Sequence, residues 1–222
     1  MGEIRSLSVK ATRGAGFDWG LAEEAGFAVE WLERHGMPGV AALSRYLSDI
    51  DDGVSTDDLG STLAVGALIS DTQDWERHLP LSCSQPLLLA PFLANVCGDG
   101  VLVMTVGTDL DPESANTEDG SNALAPALQK DSSYKLIVSQ TNVKSTDAFI
   151  TLAAGYVSVS RESAEEVSSV EGIAKSRPNQ TRVHENRLPY VETLTHFAHR
   201  TYAPATEESR LSGAGAGVRD DD

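Results

Sequence analysis

The residues with the most chemical promise lie close together near the N-terminus, in "TRGAGFDWGLAEEAG" at positions 12 to 26. Arg13, Gly14 and Gly16 stand just ahead of a helix start. Glycines let a ligand approach the backbone, and the unpaired N–H groups of a helix N-terminus favour a phosphate or carboxylate, so Arg13 with Lys10 would complete an anion site. The spacing is not a dinucleotide fingerprint: the preceding segment reads as helix, and no Gly-Lys-Ser/Thr follows. Punctuation between two helices is the plainer reading. Glu24 is the candidate acid/base. At 100° per residue, Gly20, Glu24, Phe27 and Trp31 fall on one stripe, apart from the core stripe of Leu21, Ala22, Ala25, Val29 and Leu32. A carboxyl packed against aromatics resists ionisation, which is how a general acid or base is made, and Trp31 would wall its cleft. The structural alternative pairs Glu24 with Lys10 or Arg13.

Further along, "LPYVETLTHFAHRTY" places Glu192, His196 and His199 at i, i+4 and i+7 of a helix opened by Pro189, beside the core positions Val191, Leu194, Ala198 and Tyr202. Two imidazoles and a carboxylate on one flank could ligate a divalent metal, but the His-Glu-x-x-His pattern is absent and a solvated face is the preferred reading. Neither acidic stretch, "DIDDGVSTDDLG" nor "DLDPESANTEDG", has its glycine where an EF-hand loop needs it. Cys83 and Cys97 lie outside any Cys-x-x-Cys spacing and have no base nearby in sequence, so they read as reduced, buried thiols. No Gly-x-Ser-x-Gly occurs. The sequence names no cofactor.

These residues need a scaffold, and hydrophobic periodicity supplies one. Helices are expected at Ser6 to Arg13, closed by Gly14; from Asp18, as cap, to Gly36; at Gly39 to Ile50; and at Leu63 to Ile69. The second and third would form an antiparallel hairpin. "PLLLAPFLANVC" is apolar all round and reads as a buried helix opened by Pro86. The period then shifts, and 101–107, 134–140, 153–160 and 181–185 read as strands of a small, mainly antiparallel sheet. The stretch 108–133 is expected to be a mobile loop, and a short helix is expected near Ala164 to Val170. The predicted fold is α+β: an N-terminal helical layer packed with that sheet, one domain over 1–222, with 1–98 mainly helical and 99–222 mixed.

Thirty-three acidic against seventeen basic residues give a formal charge of −16, a field that repels nucleic acid and anionic membrane. The longest apolar run, Leu87 to Val96, is half the length of a membrane span, and the N-terminus lacks a signal-type apolar segment. A cytoplasmic protein is expected.

The chain also resembles an uncharacterised family of bacterial proteins of about this length, a domain of unknown function. "KATRGAGFDWGLAEEAGFAVEWLERHGMPG", "PLLLAPFLA" and "TYAPATEESRLSGAGAGVRDDD" carry the resemblance. The resemblance implies no activity. It does imply that both Gly-Ala-Gly segments are signature elements, with the end usually Asp-Asn-Asp where this chain has Asp220, Asp221 and Asp222. On that basis the C-terminal segment is expected to fold back toward Arg13 and Glu24, with Arg210 or Arg219 meeting the acidic helix. The expected function is a small-molecule enzyme, or its accessory subunit, that acts on an anionic carboxylate or phosphate metabolite. Glu24 would be catalytic, and Arg13, Gly14, Gly16, Trp31 and Arg210 would bind substrate. The alternative is a non-catalytic interaction or homo-oligomeric module with Phe27 and Trp31 at its interface.

Overall fold

Helix α1 (Gly2–Gly14) starts earlier than the predicted Ser6 and buries Ser8, Val9, Ala11 and Thr12. The Thr12 hydroxyl, having no water to meet, donates back to the Ser8 carbonyl at 2.9 Å. The residues described by the computed structural model are 2–53, 61–79, 81–107, 133–145, 155–162 and 187–202. The closing glycine of α1 is Gly16 and not Gly14: φ is +99° at Gly16, whose N–H reaches Arg13 O at 3.0 Å while Phe17 N–H reaches Thr12 O at 3.3 Å. That paired pattern is a Schellman cap, and its left-handed residue tolerates a side chain poorly.

Asp18 caps α2 (Trp19–Arg34) as predicted, accepting from Leu21 N–H at 2.8 Å. Ala22, Ala25, Val29 and Leu32 are fully buried along the expected stripe. Helix α3 (Gly39–Asp51) packs on α2 and adds Val40, Leu43, Tyr46 and Leu47 to the core. Two further helices follow, α4 (Thr62–Thr72), capped by Ser61, and the short α5 (Trp75–His78), which periodicity did not reveal. A 3-10 turn, Pro86–Leu89, then runs into α6 (Ala90–Val96). Every residue from Pro86 to Ala94 is buried, so this is the predicted interior helix.

The strands are β1 (Leu81–Cys83), β2 (Val101–Gly107), β3 (Ser133–Ser139), β4 (Asn142–Ser145) and β5 (Gly155–Glu162), in the order β1-β5-β2-β3-β4 with every pair antiparallel. Strands β1 and β4 are too short to show a period of two. Met104 stands opposite Leu136 and Val159, and with Leu102, Val106, Val138 and Val157 it turns one face of the sheet toward α6 and the helical layer. Fully burying each such side chain contributes about 1.5–3 kcal/mol. One core thus runs through helices and sheet, and the fold is α+β with the helices leading.

Helix α7 (Leu188–His199) returns to pack on α1 and α3. Arg200, just past its end, holds Asp51 of α3 with two hydrogen bonds at 2.6 and 2.8 Å. The predicted strand 181–185, the helix near 164–170, the 108–133 loop save Ser133, which begins β3, and the C-terminal segment with Arg210 and Arg219 lie outside the described residues.

Candidate functional site

Helices α1 and α7 meet closely at one end and part at the other. Where they meet, a Cβ on Gly14 would run into the backbone carbonyl of Phe197, so only hydrogen fits there. Away from that point, Gly2, Glu3, Ser6, Leu7 and Lys10 of α1 face Thr195, Ala198, His199 and Tyr202 across an open groove of about 400 Å³. Leu7 and Ala198 give it an apolar lining, while Lys10, Glu3 and His199 supply groups that can carry charge. The Thr195 hydroxyl donates to Val191 O at 2.8 Å and keeps its lone pairs for a ligand. The His199 ring stands edge-on to Tyr202, with centroids 5.7 Å apart.

The predicted anion turn joins α1 to α2. Arg13 donates from Nη1 to the Phe17 carbonyl, and its guanidinium lies over the Trp19 ring, 4.8 Å from the centroid. Its contacts close the α1–α2 turn. Gly14 packs against α7, Gly16 supplies the cap, and the α2 N-terminus already holds the carboxylate of Asp18.

Glu24 is half-buried on α2. Burial raises its pKa above the ordinary 4.5, Asp71 on α4 adds to the rise, Arg5 opposes it, and Glu23 raises it slightly further. Arg5 is itself shared between Glu23 and Glu30, at 3.5 and 3.6 Å. The stripe beside Glu24 is packing: Phe27 meets Phe92 of α6 edge-on at 6.2 Å, and Trp31 stacks on His35 at 4.1 Å.

Two residues that pattern-reading passed over hold the other end of α2. Glu33, 8% exposed, accepts from Val40 N–H at 2.9 Å and lies 2.9 Å from Nη2 of Arg187. It caps α3 from a distance, because Pro38, the residue before that helix, offers no side-chain cap. The missing Ser, Thr, Asp or Asn at that position was the available signal. His35 sets Nδ1 2.7 Å from Trp31 O and Nε2 3.0 Å from Thr141 O in the β3–β4 turn.

Glu192, His196 and His199 are exposed on α7, and no group of three His, Cys, Asp or Glu able to hold a metal occurs among the described residues. Cys83 and Cys97 are buried and free. Burial pushes the Cys83 thiol up to about 12, with the nearby Thr62 hydroxyl opposing the rise, which leaves it unreactive at neutral pH. No described helix is long and apolar enough to cross a membrane.

Residues 1–66 match the model of DUF3726, a family described as protein of unknown function. The DUF3726 match takes in α1, α2, α3 and the start of α4, and with them Lys10, Arg13, Glu24, Glu33 and His35. The sheet and α7 lie beyond it. No curated protein and no solved structure matches the chain.

Proposed function

We propose that the protein binds a small anionic metabolite in the groove between α1 and α7. The observation that carries this is the meeting of Lys10, from the first helix, with His199 and Tyr202, from the end of the last one, on a single cleft of about 400 Å³. That volume suits a small ligand. Lys10 would hold a carboxylate or phosphate. The aromatic ring of Tyr202 would cover an apolar portion. Glu3 in the same lining favours a ligand that also carries a hydrogen-bond donor, such as a hydroxyl or amino group. His199 adds an imidazole to the lining, a side chain of the kind used for general acid/base catalysis, which gives the groove a route to such chemistry. Against a net charge of −16, attraction of an anion must be local and salt-sensitive.

Thermal unfolding of the full chain against panels of small carboxylates, phosphates and amines tests this. A ligand at a hundred times its Kd adds about 2.7 kcal/mol, or roughly 5–10 °C for a chain of this size. The shift is expected from anions and is expected to be lost in Lys10→Ala and His199→Ala. An anion shift that survives both substitutions moves the site elsewhere, and a flat anion panel removes the proposal.

A second reading keeps Glu24 as a general acid/base, favoured by the rise in its pKa through burial and Asp71. The acidic neighbourhood of Glu23 and Asp71 suits a neutral or cationic substrate there. Loss of turnover or of an amine-induced shift in Glu24→Gln, with the anion response intact, would support it.

A further inference from the structure

Both ring nitrogens of His35 face backbone carbonyl oxygens: Nδ1 stands 2.7 Å from Trp31 O and Nε2 stands 3.0 Å from Thr141 O. A carbonyl can only accept. A neutral imidazole has one N–H and one lone pair, so it satisfies one of these contacts and sets its lone pair against the other oxygen; the imidazolium donates to both. His35 is the C-cap of α2, at the negative end of the helix dipole, and its ring stacks on Trp31 with centroids 4.1 Å apart.

The charged side chains in the C-terminal part of α2 are Glu30, Glu33 and Arg34, with Glu23 and Glu24 more than two turns away, and those of the β3–β4 hairpin are Lys135 and Lys144. Glu30 pairs with Arg34 at 2.7 Å and with Arg5 at 3.6 Å. Glu33 is engaged by Val40 and Arg187. Among the described residues neither carboxylate is used on the imidazole, whose two polar contacts there are both to backbone.

We propose that His35 is a protonation-dependent clasp: as an imidazolium it ties the β3–β4 turn to the end of α2, and as a neutral ring it releases one of the two. The contact with Thr141 joins residues 106 positions apart and bridges the helical layer to the outer hairpin of the sheet. The neutral ring keeps its N–H on the shorter contact within α2, Nδ1 to Trp31 O at 2.7 Å, and gives up the longer and more exposed one to Thr141 O at 3.0 Å, so loss of a proton loosens the edge of the sheet and leaves the helical core in place.

The test is made on the full chain by NMR across a pH series. Long-range proton–nitrogen spectra of the imidazole report which ring nitrogens carry protons, and amide hydrogen exchange at residues 139–143, corrected for intrinsic rate, reports docking of the turn. Both nitrogens are expected to be protonated while the turn is protected, with protection falling about tenfold as the ring loses a proton, since a hydrogen bond from a charged donor is of that strength. His35→Phe, which keeps an aromatic ring but has no donor, is expected to show the lower protection at every pH, with α2 amides unchanged. A single neutral tautomer coexisting with a protected turn overturns the proposal. So does protection that ignores the ring's charge in the wild-type chain, a result that does not depend on the variant folding.

Discussion

The two halves of α2 each carry a carboxylate turned partly inward, and they treat it in opposite ways. At the C-terminal end Glu33 is nearly sealed, yet both its oxygens have partners, the Val40 amide and the Arg187 guanidinium. Nearer the N-terminus Glu24 is only half-buried, but Arg5, the cation that acts on it, is shared with Glu23 and Glu30, and Asp71 pushes the other way. Depth of burial therefore does not mark the chemically interesting group. A buried charge with all its partners is architecture, whereas a shallower one without a dedicated counter-ion retains its capacity to bind or move a proton.

Removing Glu33 should break this contrast most severely. Glu33→Ala leaves the first turn of α3 uncapped and strands a guanidinium whose Nε and Nη2 make no well-directed hydrogen bond among the described residues, Nη2 being held to Glu33 as an ion pair at 2.9 Å. Loss of one member of a buried pair costs several kcal/mol; because Arg187 keeps about a quarter of its side chain in solvent, the expected loss is about 3 kcal/mol. Denaturant unfolding checks this. Glu33→Gln should lose less, since its amide oxygen still accepts from Val40. Equal losses would mean that the cap contributes little.

Gly14→Ala comes next, at about 2 kcal/mol, because the added methyl meets the backbone of Phe197 and that carbonyl cannot swing aside as a side chain would. The same variant sharpens the comparison of turn against groove. If Gly14 is a packing residue, the midpoint of unfolding falls while an anion panel still shifts what remains. A stable Gly14→Ala that has lost its ligand response would return the anion site to the α1–α2 turn.

The order of the helices and the place of the central strands were legible because both are local: Asp18 sits at its cap, Pro86 opens the buried helix, and "VLVMTVG" is a short apolar run of β-favouring residues. The partnerships were not. Arg13, Gly14 and Gly16 look like an anion turn in sequence, but Gly14 packs against α7, which begins more than 170 residues further along the chain. Glu33 and His35 were passed over for the same reason, since each is explained by a backbone group belonging to another element. Phe27 and Trp31 are covered in two ways: Phe92 reaches Phe27 from another helix, which only the tertiary structure reveals, whereas His35 meets Trp31 as its own i+4 neighbour.

Arg200→Ala should give a smaller and pH-dependent effect. Hydrogen bonding to Arg200 holds the Asp51 carboxyl below the ordinary 3.8. A depressed carboxylate contributes stability that is present above its unfolded-state pKa and lost as pH falls through the folded-state value. The difference in Tm between wild type and variant should therefore hold at neutral pH and close only in strong acid, below about pH 3.8. The pair is solvent-exposed, so added salt should shrink it. An undiminished gap in acid would assign the effect to the packing of Arg200 over the Phe197 ring, 4.4 Å from its centroid.

Glu24→Gln carries the smallest effect and the opposite sign. A carboxyl whose folded-state pKa is raised favours the folded protein while it is protonated, an advantage fully present below the unfolded value and lost as pH rises through the folded one. At neutral pH the ionised Glu24 consequently costs stability: burial and Asp71 outweigh the attraction of Arg5. Gln cannot ionise, so the variant should be slightly more stable than wild type at pH 7, by a fraction of a kcal/mol once solvent screening of a half-exposed group is allowed for. The two should converge below about pH 4.5, where both side chains are neutral. Differential scanning calorimetry at pH 4 and pH 7 reads both points. Destabilisation at pH 7 would mean that Arg5 is the counter-ion of Glu24 after all, and the two halves of α2 would then differ in degree of burial and not in kind.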